Sequence, residues 1–311
     1  MPKEYAHRPV LTREVLQGLN VQTGGIYLDG TFGRGGHAQA ILQRLNADGR
    51  LVVVDKDPEA IRVAEETIAK DSRVTVQRGS YAMLQRLTEK LGISGELNGV
   101  LLDLGVSSPQ LDDCRRGFSF GAEGPLDMRM DPDTGISAAQ WLAQATQIEI
   151  EKVLRSLGEE RYARRIAKAI VLSRNEIPIT TTTQLAELIA GAVPKREGKK
   201  HPATRSFQAI RIYINRELEE LNAALQQIVH ILAPLGRLVV ISFHSLEDRI
   251  VKQFIRRESK GEELPLDLPV QGVPGKGRLR PVGKPIFPCP EEIAANPRAR
   301  SAVLRVAEKL A

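Results

Sequence analysis

Apolar and polar positions alternate in two distinct rhythms along the first third of the chain. Ile26 and Leu28 lead into Asp29, glycines at 30, 33, 35 and 36 crowd one turn, and Ala38, Ile41, Leu42 and Leu45 then recur at helical spacing. The pattern predicts strand, glycine turn, helix. A second apolar run, Leu51 to Val54, ends in Asp55, and residues 60–69 are again helical in period. Val74 to Gln77 predicts a third strand entering Arg78-Gly79-Ser80-Tyr81. Asn98 to Leu102 predicts a fourth, which empties into the loop-like run Asp103-Leu104-Gly105-Val106-Ser107-Ser108-Pro109-Gln110. Upstream, Val15, Leu16 and Leu19 make an amphipathic helix with Thr12 as its N-cap.

The alternation then stops. Residues 117–129 predict an elaborate loop, and 137–192 are helical in period, with Trp141 as a core residue. It resumes with one long helix in which Phe207, Ile210, Ile214, Leu218, Leu221, Leu225, Ile228 and Leu232 recur at spacings of three and four, ended by Pro234 and Gly236. Leu238 to Ile241 is a fifth strand, followed by His244, here read as a structural hydrogen-bonder. Residues 264–290 predict irregular backbone, and Ala302 to Val306 a last strand.

The glycine turn carries the first chemical cue. Glycine tolerates positive φ and lets a ligand approach the backbone, and the helix behind the turn offers amide groups at its start. Asp55 stands at the distance at which nucleotide folds place an acid for ribose hydroxyls. Two nucleoside ligands compete. A dinucleotide fingerprint fits only if Ala38 replaces its last glycine. Asp29 at the strand's mouth would repel a pyrophosphate but suits the cationic amino-acid part of S-adenosylmethionine. The methyl donor is therefore favoured over a nicotinamide.

Composition narrows the class. With 42% hydrophobic and 26% charged residues the chain reads as globular, and no apolar run approaches the length of a membrane span. The opening residues lack the apolar stretch of an export signal, which makes the cytoplasm the expected compartment. Two cysteines, Cys114 and Cys289, are too few for a disulfide framework or a four-cysteine zinc site, and no metal is expected. Forty-four basic against 38 acidic residues give a net charge of +6, which tilts toward a polyanionic partner. Arg161, Arg164, Arg165 and Lys168 fall on one predicted helix face; Lys195, Arg196, Lys199 and Lys200 follow in a basic loop, and Lys276, Arg278 and Arg280 come later. Converging, they would form a phosphate track.

Seven segments, in order, carry a resemblance. Asp-Gly-Thr-Phe-Gly-Arg-Gly-Gly-His at 29–37, Asp-Leu-Gly-Val-Ser-Ser-Pro-Gln at 103–110, Arg-Gly-Phe-Ser-Phe at 116–120 and Pro-Leu-Asp-Met-Arg-Met-Asp at 125–131 are the first four. Ala-Thr-Arg-Ser-Phe-Gln-Ala-Ile-Arg-Ile at 203–212, Ser-Phe-His-Ser-Leu-Glu-Asp-Arg at 242–249 and Asn-Pro-Arg-Ala-Arg-Ser at 296–301 complete them. Together they resemble the RsmH (MraW) family, bacterial methyltransferases of the exocyclic N4 of a cytosine in the decoding region of 16S rRNA.

The resemblance implies an α/β fold, a class I S-adenosylmethionine-dependent methyltransferase (Rossmann-like) sheet, with an inserted helical domain. The expected boundaries are a Rossmann-like domain at 1–111 and 207–311 and a helical substrate-recognition domain at 112–206. It implies donor contacts at Gly35, Gly36, His37, Asp55, Tyr81, Asp103 and Gln110. Ser108 and Pro109 occupy the place where amino-methyltransferases hold the target amine, without the second proline or aromatic usual there, so the stacking residue passes to Phe118 or Phe120. No catalytic base is assigned. The implied partner is 16S rRNA within the small ribosomal subunit, with no membrane and room for a homodimer. The competing reading is an RNA-binding assembly factor with a relic cofactor site.

Overall fold

The computed structural model describes residues 9–194, 201–261 and 277–311. Taken along the chain, it opens with α1 (Thr12–Leu19), β1 (Ile26–Asp29), α2 (Gly36–Leu42), β2 (Arg50–Asp55), α3 (Pro58–Thr67), β3 (Val74–Arg78), α4 (Leu84–Lys90) and β4 (Leu97–Asp103). A helical stretch follows: α5 (Ser108–Asp112), α6 (Ala138–Gln144), α7 (Gln147–Gly158), α8 (Ala163–Glu176), α9 (Thr182–Ala192) and α10 (Thr204–Ile214). The chain closes with α11 (Glu217–Ile231), β5 (Leu232–Ser242), α12 (Ser245–Lys260), β6 (Leu279–Pro281), α13 (Pro290–Ala295) and β7 (Val303–Lys309). Two compact units result, one of Met1–Gly105 with Leu218–Ala311, the other of Val106–Glu217.

In the first unit the strands form one sheet of order β3-β2-β1-β4-β5-β7-β6, with β1 to β5 parallel and β7 antiparallel to both of its neighbours. It is the Rossmann-like sheet that the resemblance implies. The continuous apolar runs are explained by burial on both faces. Val52, Val54, Val100, Leu102, Leu238 and Val240 enter the core beneath α4, α11 and α12, while Leu51, Val53, Leu101, Val239 and Ile241 enter the one beneath α1, α2 and α3. Successive side chains serve opposite layers, so the runs 51–54, 100–102 and 238–241 carry no polar residue.

Some local expectations change. Thr12 is the first helical residue rather than the cap: Leu11 takes the cap position at φ 54, its N–H donates to Glu292 at 2.7 Å, and the Thr12 hydroxyl donates to Pro9 O. A partner remote in sequence has replaced the side-chain cap. Leu279–Pro281, within the stretch read as irregular, is a strand because β7 offers it an edge. Pro234 and Gly236 lie inside β5, the preceding helix having ended at Ile231.

The second unit has its own core, built from Leu142, Ile150, Leu154, Ile166, Ile170, Leu185, Ile189 and Ile210 with Trp141 beside them. The single long helix expected from Phe207 onward is two. Arg216 turns left-handed at φ 51, and Asn215 explains why the chain stops there. The Asn215 amide donates to Met128 O at 2.7 Å and its carbonyl accepts from Met130 N at 2.7 Å, while Arg211 clasps Glu217 through two bonds. Asn215 thus fixes the loop at 117–129 and ends α10 at once. The boundaries correct the expected ones: α5 and α10 belong to the helical unit, which begins at 106 and ends at 217. Within that loop Gly124 runs so close to Cys114 that an added Cβ would lie 1.9 Å from its carbonyl oxygen.

Candidate functional site

The carboxyl ends of β1, β2 and β4 meet at one mouth in the first unit, where open α/β sheets bind ligands. The glycine turn forms its floor. Gly30 N donates to Leu101 O, Phe32 N to Val54 O, and Gly33 N to the Asp55 carboxylate at 2.8 Å, which stitches the turn to both neighbouring strands. Gly35 opens α2 at φ 78, and a Cβ there would lie 2.6 Å from the Phe32 ring, so only glycine brings the Gly36 and His37 amides to the helix start.

Asp55 is held on both oxygens, by Gly33 N and by Asp57 N at 2.9 Å, and remains half-buried. Burial pushes its carboxyl up to about 6, the two amides and Lys56 pulling the other way. Asp103 N donates to the Thr31 hydroxyl at 2.7 Å, and Thr31 N donates to Asp29 at 3.1 Å. Thr31 therefore locks the end of β4 to the end of β1. Tyr81 begins the short turn after β3, with its Cβ 3.4 Å from the space a Gly30 side chain would need.

Asp29 departs from its expected place. It is 1% exposed, so its carboxylate supports the turn from inside rather than facing a cationic ligand. Burial pushes it up to about 6, relieved by His37 and the Thr31 amide and reinforced by Asp103 and Asp55. His37 is buried and its Nε2 lies 3.5 Å from Asp103. Burial alone would lower the imidazole pKa, but Asp103, Asp29 and Glu292 together outweigh it and raise it.

His37 Nδ1 and Asp103 Oδ1 are buried without a hydrogen-bond partner among the described residues, and His37 Nε2 has only the long contact to Asp103 at 3.5 Å. Buried polar atoms left unsatisfied cost roughly 1–3 kcal/mol each, so they mark places where a polar ligand is accommodated. The donor implied by the resemblance fits: an acid for hydroxyls at Asp55, an aromatic edge at Tyr81, and unsatisfied groups at His37 and Asp103. The resemblance names both residues separately, but only the fold sets His37 beside Asp103.

In the second unit the expected amine-binding loop is a one-turn helix. Ser107 caps it, accepting from Gln110 N, while the Gln110 side-chain carbonyl accepts from Ser107 N at 2.9 Å. Ser108 and Pro109 are its first two residues. The Ser-x-x-Gln spacing is the sequence signal of this helix start, in a run that otherwise resembles a loop. Phe118 is 6% exposed with Arg116 over its ring, which removes it as a stacking platform. Phe120 is half-buried and packs on His201 and Phe207, each at 4.7 Å between centroids.

The basic track changes too. Arg164, Arg165 and Lys168 are exposed on α8, but Arg161 precedes that helix. Arg278 bonds to Glu258 at 2.8 Å and Arg280 to Glu308, so neither is spare. Lys195, Arg196, Lys199, Lys200 and Lys276 lie outside the described residues. His244 caps α12, its Nδ1 accepting from Glu247 N, as a structural hydrogen-bonder should. No helix among the described residues is long and apolar enough to cross a membrane.

Residues 4–310 match the model of the MraW methylase family. The chain is 61% identical over 307 residues to a ribosomal RNA small subunit methyltransferase H of Thioalkalivibrio sulfidiphilus, covering 98% of each. It is 59% identical over 305 residues to the protein of that name from Nitrosococcus oceani, covering 98% of this chain and 97% of that one. For Shewanella amazonensis the values are 56% over 312 residues, 100% and 99%.

Proposed function

The chain belongs to the MraW methylase family, and from that membership we propose that it transfers a methyl group from S-adenosylmethionine to the exocyclic N4 of a cytosine in the decoding region of 16S rRNA. The observation that carries this is the extent of the match: it spans the sheet unit and the helical unit together, at 61% identity to a small-subunit rRNA methyltransferase. An assembly factor using only one half would not require both.

The bound donor supplies an electrophilic methyl group; everything else falls to the chain. In this reading Asp55 accepts from the ribose hydroxyls, with its carboxylate already aimed by Gly33 and Asp57. Tyr81 lies along the adenine, and Gly35, Gly36, His37, Asp103 and Gln110 complete the donor contacts. Cytosine N4 is a poor nucleophile because its lone pair is delocalised into the ring, so alignment supplies most of the acceleration. The base must leave its stack to be aligned. Ser108 and Pro109 hold the amine, Phe120 is the remaining candidate for stacking, and the helical unit is the substrate platform. The methylated nitrogen sheds its proton readily, and no strong base is assigned. Small subunits are the proposed partner, and a homodimer is compatible.

Labelled donor offered to assembled small subunits, naked 16S rRNA and cytidine tests this, with mass spectrometry locating the product. Incorporation into RNA at cytosine N4, with cytidine a very poor substrate, is expected. Equal rates on all three would refute the RNA reading, and transfer to protein would overturn the substrate class.

A further inference from the structure

We propose that a cationic concavity between α12 and the turn that follows β6 binds a backbone phosphodiester of the substrate RNA, outside the mouth where the methyl is transferred. The proposal deepens the reading of the chain as an RNA methyltransferase and rests on it. The concavity holds about 230 Å³ and is lined by Lys252, Arg256, Ser259, Gly283, Lys284 and Arg305 among others, with no carboxylate among the described lining residues.

What sets it apart is where the neighbouring acids are used. Arg278 is paired with Glu258, Arg237 and Arg280 with Glu308, and Arg305 with Asp248 through two bonds of 2.6 and 2.9 Å. Lys252, Arg256 and Lys284 have no acidic partner among the described residues. Lys252 and Arg256 are four apart on α12, where like charges repel, and Lys284 adds a third from across the concavity. A bound anion would relieve all three.

The rim is preorganised. Val282 N donates to Val306 O, and Ile286 exchanges two bonds of 2.9 Å with Leu304, so the turn carrying Lys284 is tied down on both sides. Gly283, at φ 72, has nothing within 4 Å of where a Cβ would stand, which leaves its backbone open to the concavity. One guanidinium fork and two ammonium groups around a small space suit a tetrahedral monoanion. Such a site holds a single phosphate of a chain that has many.

Its position fits the same substrate. Arg305 pairs with Val240 of β5, and Asp103 pairs with the next residue, Ile241. Two strand spacings separate them, on the order of 10 Å. RNA backbone flanking a cytosine at the mouth would pass this edge of the sheet.

The test compares equilibrium binding of a small-subunit rRNA transcript over a salt series by wild type, by the triple variant Lys252→Glu/Arg256→Glu/Lys284→Glu, and by a control of equal charge change. The control is Lys70→Glu/Arg86→Glu/Lys90→Glu, exposed residues near the opposite sheet edge. Expected is a loss of about tenfold or more in RNA affinity for the site variant at low salt. Its slope of log affinity against log salt should fall by about 0.7 for each phosphate no longer neutralised. Donor affinity by calorimetry and the melting temperature should stay at wild-type values. If the triple variant is poorly folded, Arg256→Gln and Lys284→Gln read the same slope with less perturbation. Unchanged RNA affinity, or an equal loss in the control, overturns the site. So does a defect confined to assembled subunits, which would indicate an acidic protein surface, or tight capture of inorganic phosphate with RNA binding unaffected. A wild-type chain that does not bind the transcript removes the parent reading instead, and that outcome is distinct from all of these.

Discussion

The helical unit and the mouth of the sheet unit obey local rules to very different degrees. In the helical unit α5, α6, α7 and α9 each begin with a capping box, from Ser107, Ser137, Thr146 and Thr181. Each cap joins a hydroxyl to a backbone N–H three residues on and returns a Gln or Glu side chain. At the mouth, three carboxylates and an imidazole crowd the strand ends, two of the acids pushed up to about 6 by burial and several polar atoms left without partners. The helical unit uses its capping groups to hold itself together, with Ser206 Oγ a buried exception, whereas the mouth keeps polar atoms unsatisfied where a ligand is expected. Violations of local consistency concentrate at functional sites, which supports the proposal that the donor binds at this mouth.

Removing the helical unit is the severest way to probe this contrast. With residues 106–217 replaced by a short linker, methylation of RNA should vanish while donor binding stays measurable by calorimetry. Wild-type methylation by the trimmed chain would mean that the helical unit is not the substrate platform.

Asp55→Ala comes next. It removes a charged acceptor for ribose hydroxyls and releases Gly33 N and Asp57 N, so donor affinity should fall by roughly 1.5–3 kcal/mol. Unchanged affinity would dissociate Asp55 from the donor.

Asp29→Asn should act on stability in the opposite direction. The folded-state carboxyl of Asp29 lies near 6, above its unfolded value of 3.8. The folded chain therefore binds more protons between those values, and stability falls as pH rises through that window. His37, also raised, adds stability at low pH that is lost as pH rises through its folded value. Asparagine keeps an acceptor for Thr31 N but carries no charge. The variant should melt higher than wild type at pH 7, by the equivalent of about 1–3 kcal/mol, with a flatter pH profile between 4 and 6.5. A lower melting temperature at pH 7 would show that the buried charge is compensated.

The mildest test falls on the rule-abiding unit. Thr146→Ala deletes the cap that accepts from Glu149 N at 3.2 Å and should cost about 1 kcal/mol of stability. Donor affinity should be untouched. A change in donor affinity would indicate that the two regions are not separable in the way their polar groups suggest.

Much of the scaffold is local information. Apolar runs of three or four residues ending in an acid specified buried parallel strands, because only doubly buried strands can be apolar at every position, and the acids at 29, 55 and 103 mark where each strand ends. The glycines at 33 and 35 specified the turn through their backbone freedom, and Ser107-x-x-Gln110 encoded a helix start. Tertiary structure decided what depends on partners far along the chain. Asn215 breaks a sequence-perfect amphipathic helix because Met128 and Met130 offer their backbone groups to it. Asp29 is interior rather than ligand-facing because β1 is flanked by β2 and β4, and His37 meets Asp103 only because α2 sets it beside the end of β4. Charge shows the same division: the number of cations is a property of the sequence, but among the described residues Glu258 and Glu308 pair with Arg278 and Arg280 and leave Lys252, Arg256 and Lys284 without an acid. Periodicity is a property of neighbours in sequence, whereas burial, pairing and solvation are set by neighbours in space.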